Sequence, residues 1–131
     1  MHRMEEGNLL PSLRFDVITI FPDMFSAVMH YGVTGRAFQR RSALLNLIDP
    51  RAFADNAYRS VDDRPYGGGP GMVMMADPLE KAVVAAKQAR LAAGCYGGKV
   101  VLMSPRGTML QDTLVKQLLA DGGAILVACR Y

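Results

Sequence analysis

Four short apolar runs constrain the fold of this chain more than any other feature. RFDVITIF (residues 14–21), ALLNLI (43–48), KVVLM (99–103) and AILVAC (124–129) are rich in β-branched and large aliphatic residues and show little of the alternation that a half-solvated strand needs. Runs of this kind read as strands covered on both faces. Segments with helical signals lie between them, so strand and helix alternate along the chain. That order predicts an α/β fold, a mostly parallel sheet with helices on both faces and right-handed crossovers.

The boundaries follow from local chemistry. Pro22 stops the first run, and PDMFSAVMHYG has the proline and acid of a helix start and a glycine stop at Gly32, with a second short helix expected in VTGRAFQRR. Asp77, Pro78 and Glu80 have the spacing of N-cap, N1 and N3, and Leu79, Ala82, Val83 and Ala86 then form one apolar stripe. Gly94, Gly97 and Gly98 end that helix. A last helix is expected over 111–121, with Leu114, Val115, Leu118 and Leu119 on one face and Gly122–Gly123 as its stop. Residues 1–13 have no sustained period and read as a flexible or loosely attached leader, leaving 14–131 as one domain or part of one.

Composition narrows the setting. A chain of 131 residues with 50% apolar content can bury a core, and it has neither a membrane-length apolar run nor a signal-peptide pattern, so a cytoplasmic location is expected. Cys95 and Cys129 match no metal-ligand spacing and read as free thiols. His2 and His30 lie near no nucleophile, which leaves a hydrolase triad without support and no metal site in view. The net charge of +3 is mild, but Arg36, Arg40, Arg41, Arg51, Arg59 and Arg64 are clustered and no lysine interrupts them. Arginine suits phosphate, although each of these could also cap a helix or solvate a face.

The long segment from Asp49 to Gly71 lacks a hydrophobic period, and long ordered loops in compact domains usually carry function. Its core, VDDRPYGGGPGM (61–72), is neither a Walker loop nor G-x-G-x-x-G, because no Gly-Lys-Ser/Thr follows and the sixth position is Met72. Its glycines permit close backbone approach, and Asp62, Asp63, Arg64 and Tyr66 can accept from base amino groups, donate to oxygens and stack. A local Asp63–Arg64 ion pair shaping the loop is an equal alternative. A second candidate is the pair of strand ends LMSPRG and ACRY, which a parallel sheet brings to one carboxyl edge, where ligands of open α/β sheets bind. There Ser104 offers a hydroxyl, Pro105 a rigid wall and Gly107 a tight bend.

DVITIFPDMF, YGVTGRA, VDDRPYGGGPGM, LMSPRG and ILVACRY also occur in the order in which the chain resembles bacterial tRNA (guanine-N1)-methyltransferases of the SPOUT class. The resemblance runs from about residue 14 to the end. It implies a trefoil-knot methyltransferase domain, represented here by its N-terminal portion up to a point before the knot closes. It further implies S-adenosyl-L-methionine as cofactor, tRNA as substrate, methylation of N1 of the guanosine 3′ of the anticodon, and a homodimer.

By position, the resemblance implies that Leu102, Met103, Ser104, Pro105, Cys129 and Tyr131 hold the cofactor. It likewise implies that Asp62, Arg64, Tyr66, Pro70 and Gly71 form the guanosine and tRNA site. Cys129 departs from the glycine usual at that place, and the general-base aspartate of the family is expected beyond Tyr131. A catalytically silent fragment that still dimerises or binds tRNA weakly is the competing expectation. A generic nucleotide-binding module is a third, and it predicts tighter ATP or NAD binding than S-adenosylmethionine binding.

Overall fold

The computed structural model describes residues 3–5, 8–10, 13–54, 62–63, 73–74, 76–104 and 107–128. Within the segment read as a leader, β1 (Arg3–Glu5) and β2 (Asn8–Leu10) pair antiparallel. Four further strands, β3 (Arg14–Thr19), β4 (Leu44–Ile48), β7 (Lys99–Leu102) and β8 (Gly123–Ala128), form one sheet in the order β4-β3-β8-β7, and every pairing in it is parallel. The alternation of strand and helix therefore gives the expected sheet, but only β3 and β8 are covered on both faces: β4, on one edge, is half-buried throughout, and β7, on the other, is largely exposed because it has a neighbour on one side alone. Between β4 and β7, β5 (Asp62–Asp63) pairs antiparallel with β6 (Val73–Met74).

Helices fill the crossovers. A 3-10 turn at Pro22–Phe25 leads into α1 (Ser26–His30) and α2 (Gly32–Gln39), α3 covers Ala76–Ala92, and α4 covers Asp112–Ala120. The alternation of strand side chains puts Ile18, Ile125 and Val127 on one face, where they pack against Ala82 and Ala86 of α3. Alanine at both helix positions lets the helix axis sit close to the sheet. Ile48, Phe53, Leu79 and Val83 close the edges of this cluster. Val17 and Ala124, on the opposite face, are also buried, and α4 packs along β8.

Several boundaries differ from the sequence expectation for identifiable reasons. The first strand ends at Thr19 and not Phe21, because the Phe21 amide donates to Thr19 Oγ1 at 3.0 Å and turns the chain. The third helix begins at Ala76, so Asp77 sits inside its first turn and pairs with Lys81 at 3.1 Å in place of capping. Asp49–Gly71, expected without regular structure, contains a 3-10 turn at Pro50–Phe53 capped by the Asp49 side chain, which accepts from the Arg51 amide at 2.9 Å, and it contains β5. On α4, Leu114 and Leu118 are half-buried whereas Val115 and Leu119 are exposed, so only part of the predicted face turns inward.

A buried polar network fastens the amino end of the sheet. Asp16 on β3 is fully buried and accepts from Arg14 Nε at 3.1 Å, Asn46 Nδ2 at 2.9 Å and Arg90 Nη1 at 3.3 Å. Arg90, near the end of α3, is itself buried and donates to the backbone carbonyls of Arg14, Gly97 (3.2 Å) and Gly122 (3.3 Å). A carboxylate inside an apolar strand is stable only when paired and hydrogen-bonded, and here β3, β4 and α3 each contribute a donor.

Candidate functional site

The carboxyl edge of a parallel sheet gathers the loops that follow its strands, and here it collects the ends of β7 and β8 side by side. Leu102 pairs in register with Val127, and the Met103 amide donates to the Val127 carbonyl at 3.0 Å. The ends of β7 and β8 thus lie side by side, which is the arrangement expected at the ligand edge of a parallel sheet. The Gly107 amide donates to the Ser104 carbonyl at 3.1 Å and folds the loop after β7 back on itself. A Cβ at Gly107 would lie 3.3 Å from that oxygen, so glycine suits the tight bend.

The lining of this edge is apolar. Leu102 is 60% exposed, Met103 50%, Met109 77% and Leu110 64%, an unusual set of large hydrophobic side chains to leave in water. Such a surface suits the ring of a nucleoside or a thioether chain, with backbone groups of the two loops supplying polarity. Two cavities among the described residues lie elsewhere. One, of about 210 Å³, is at the amino end of the sheet beside Cys95 and Tyr96, and the other, of about 400 Å³, is between Phe53 and α3.

Of the residues assigned to the cofactor from sequence, Leu102, Met103 and Ser104 thus meet at the carboxyl edge. Pro105, Cys129 and Tyr131 lie outside the described residues. Of those assigned to the guanosine and tRNA site, Asp62 is on β5, while Arg64, Tyr66, Pro70 and Gly71 lie outside. What the structure adds is the bracket round them, because Asp63 pairs with Val73 and so holds the two ends of the glycine-rich segment together. That segment is closed at its base by β5 and β6.

Electrostatics near the site are set by a clamp that sequence reasoning did not foresee. Arg51 donates from Nε to Asp49 Oδ1 at 3.1 Å and from Nη2 to Asp49 Oδ2 at 2.7 Å, and Nη2 also reaches the Ile20 carbonyl at 3.2 Å. This arginine, grouped in sequence with phosphate candidates, instead ties the end of β4 to the end of β3. The Asp16–Arg90 network was likewise unforeseen, and the signal available was a lone acid within RFDVITIF, which demands a buried partner. Arg14 is held above the usual arginine range, chiefly by its hydrogen bond to Asp16. Among the described residues no group of three or more His, Cys, Asp or Glu side chains is placed to hold a metal ion, and no helix is long and apolar enough to cross a membrane.

Comparison with known proteins gives a consistent result. The family model described as tRNA (Guanine-1)-methyltransferase TrmD matches residues 13–131. A tRNA (guanine-N(1)-)-methyltransferase of Methylibium petroleiphilum is 51% identical over 119 residues, covering 91% of this chain and 46% of the relative. That of Nitrosospira multiformis is 52% identical over 117 residues, covering 89% and 46%. A crystal structure of tRNA (m1G37) methyltransferase from Aquifex aeolicus superposes with a TM-score of 0.69 at 32% identity, covering 89% of this chain and 50% of that one. The chain therefore spans about half the length of the curated relatives it matches. With its parallel sheet, its adjacent β7 and β8 ends at the carboxyl edge and a family match that takes in nearly all of its residues, the chain belongs to the tRNA (guanine-1)-methyltransferase family.

Proposed function

We propose that this chain supplies the cofactor edge and the base-facing loop of an S-adenosyl-L-methionine-dependent enzyme that methylates N1 of the guanosine 3′ of the anticodon in tRNA. The observation that carries the reading is the juxtaposition of the β7 and β8 ends, where Leu102, Met103 and Ser104 stand beside the exit of β8 within an apolar surface. The residues present fit such a cofactor, since a purine and a methionine chain need apolar walls and a few backbone hydrogen bonds. Pro105, Cys129 and Tyr131 complete the proposed cofactor set, and Asp62, Arg64, Tyr66, Pro70 and Gly71 the proposed base site.

When bound, the cofactor supplies an electrophilic methyl group on sulfur. The chain's own part is to position. The strand ends hold the donor's apolar portions, and the bracket of β5 and β6 gives the glycine-rich segment a fixed base from which to face an extruded guanine. The loop's acids and arginine can read the base edge and offset charge as N1 loses its proton. The same reading includes a homodimer, supported by the exposed Val115 and Leu119 of α4, and a cytoplasmic location, where tRNA is processed.

The test is incorporation of labelled methyl groups into a tRNA transcript carrying guanosine at the target position, beside one in which adenosine replaces it. Guanosine-dependent incorporation supports the reading. Binding of S-adenosylmethionine and tRNA without turnover supports the second reading, a silent binding fragment. ATP or NAD binding tighter than that of S-adenosylmethionine counts against both.

A further inference from the structure

Three helices end at the amino edge of the sheet, and all three close with a residue in the left-handed region. For α3 that residue is Gly94 (φ 82) and for α4 it is Gly122 (φ 73), as expected where only glycine is free of a Cβ penalty. For α2 it is Arg41, with φ 61. The motif there is complete, since the Ser42 amide donates to the Ala37 carbonyl at 2.9 Å and the Arg41 amide to the Phe38 carbonyl at 3.1 Å. An arginine thus stands in a slot built for glycine, and its side chain is exposed.

The charge there is concentrated. Arg36 and Arg40 lie on the same last turn of α2, and among the described residues Arg36, Arg40 and Arg41 have no ion-pair partner. Lys99, exposed at the start of β7, adds a cation at the same edge, two strand spacings or about 10 Å from the start of β3, where Arg14 is engaged by Asp16. Asp121, at the end of α4, is an acid on the same edge, whereas Asp16 is buried beneath Arg14 and Arg90. The helix dipole accounts for a cation near the end of α2, but not for one placed against the backbone preference.

We propose that this amino edge, centred on Arg36, Arg40 and Arg41, is a second RNA contact that grips the phosphate backbone away from the proposed methyl-transfer site. It rests on the tRNA reading above and extends it to a surface on the opposite edge of the sheet. The chemistry fits a polyanion with regularly spaced charges. Arginine forks match phosphate oxygens, and a strip with no carboxylate among its three central residues carries no sequence discrimination. An acidic protein is the other polyanion that could dock, and the experiment separates the two.

The experiment compares the wild-type chain, Arg41→Gly and the Arg40→Ala/Arg41→Gly double variant. Affinities for a tRNA transcript and for a single-stranded RNA homopolymer are measured over a salt series, together with the urea midpoint of each protein. A lost phosphate contact lowers the slope of log affinity against log salt by about 0.7–0.9, or roughly five- to eightfold in affinity at about 0.1 M salt. The expected result is that loss for each arginine removed, with both RNAs, while the urea midpoint of Arg41→Gly rises because glycine relieves the left-handed strain. A stabilised variant that binds RNA less well cannot be explained by unfolding. Equal slopes for wild type and double variant overturn the RNA surface, as does failure of the wild-type chain to bind either RNA, which leaves an acidic protein as the partner to seek. Arginine-dependent slopes in a chain that never methylates tRNA leave this surface standing and overturn the catalytic reading alone.

Discussion

Replacing Arg90 by methionine tests the account of what fastens the sheet. The substitution keeps most of the aliphatic stem but removes every donor, so the carbonyls of Arg14, Gly97 and Gly122 lose their guanidinium partners. Asp16 keeps Arg14 and Asn46 and is not left as an orphan charge. A buried acceptor without a partner costs about 1–3 kcal/mol. Gly97 is exposed, so water recovers part of its share, and the Gly122 carbonyl keeps the Arg14 amide at 2.9 Å, which brings the expected loss to about 2–4 kcal/mol. Against a total of about 5–15 kcal/mol that is a large fraction, equivalent to roughly 8–16 °C in Tm. Urea unfolding followed by far-ultraviolet circular dichroism measures it. Arg90→Lys serves as the second arm, since a compact ammonium cannot reach carbonyls on three sides and should recover little. A loss below about 1 kcal/mol in Arg90→Met, or full recovery with lysine, would show that the guanidinium geometry is not what matters.

Three other outcomes follow from the same structure. Gly123 has φ 110, and an added Cβ would overlap the Arg14 carbonyl oxygen, so Gly123→Ala should disrupt the first β3–β8 pairing and cost about 3 kcal/mol or more; a urea midpoint within error of wild type contradicts it. Arg14 is raised chiefly by its hydrogen bond to Asp16, so its contribution is complete below the unfolded value and fades only as pH climbs through the higher folded one, far into the alkaline range. The stability gap between wild type and Arg14→Gln should therefore stay constant from about pH 6 to 10, and a gap that closes in that window refutes the assignment. Cys129→Gly should leave S-adenosylmethionine affinity equal or better in a calorimetric titration, and a sharp loss would mean that the thiol makes contacts of its own.

The sheet was legible because its signal is local and redundant. Four apolar runs, the first three closed by turn residues, define the strands, and their alternation with helical segments points to parallel pairing. Their order across the sheet is a different matter, since placing β8 between β3 and β7 depends on crossovers that no window of sequence contains. The pairing of Asp16 with Arg90 joins residues 74 apart, so the sequence could only announce that Asp16 needed a partner. The arginine cluster shows the same limit. Arg36, Arg40, Arg41 and Arg51 look equivalent as a list, yet Arg51 is engaged by Asp49 and Ile20, while among the described residues the other three have no ion-pair partner at the far end of α2. Of the candidate site, the S-P-R-G turn after an apolar strand marked a βα loop at the carboxyl edge, and only the family resemblance gave that loop its proposed cofactor role. The exposed Met109 and Leu110 beside it were not foreseen, because an apolar residue in a loop announces neither its exposure nor its neighbours.

A parallel sheet assigns its two edges unequal tasks. Every strand of this sheet starts at the amino edge, where the helix ends return, and there the chain concentrates backbone carbonyls that a buried guanidinium can gather. Every strand stops at the carboxyl edge, where the Arg51 side chain joins the ends of β3 and β4, the Met103 amide joins the ends of β7 and β8, and apolar side chains stay open to solvent. The central strand β3 is thus held by Arg90 near its start and by Arg51 just past its end, while the ends of β7 and β8 lie side by side. Because the Arg90 network lies at the opposite edge from the proposed cofactor site, its loss should act on cofactor binding through the folded fraction alone. In conditions where Arg90→Met is still folded, S-adenosylmethionine affinity should match wild type. An affinity that falls while the protein stays folded would mean that the two edges are coupled through β3, and that the stiffness of this strand is part of the site.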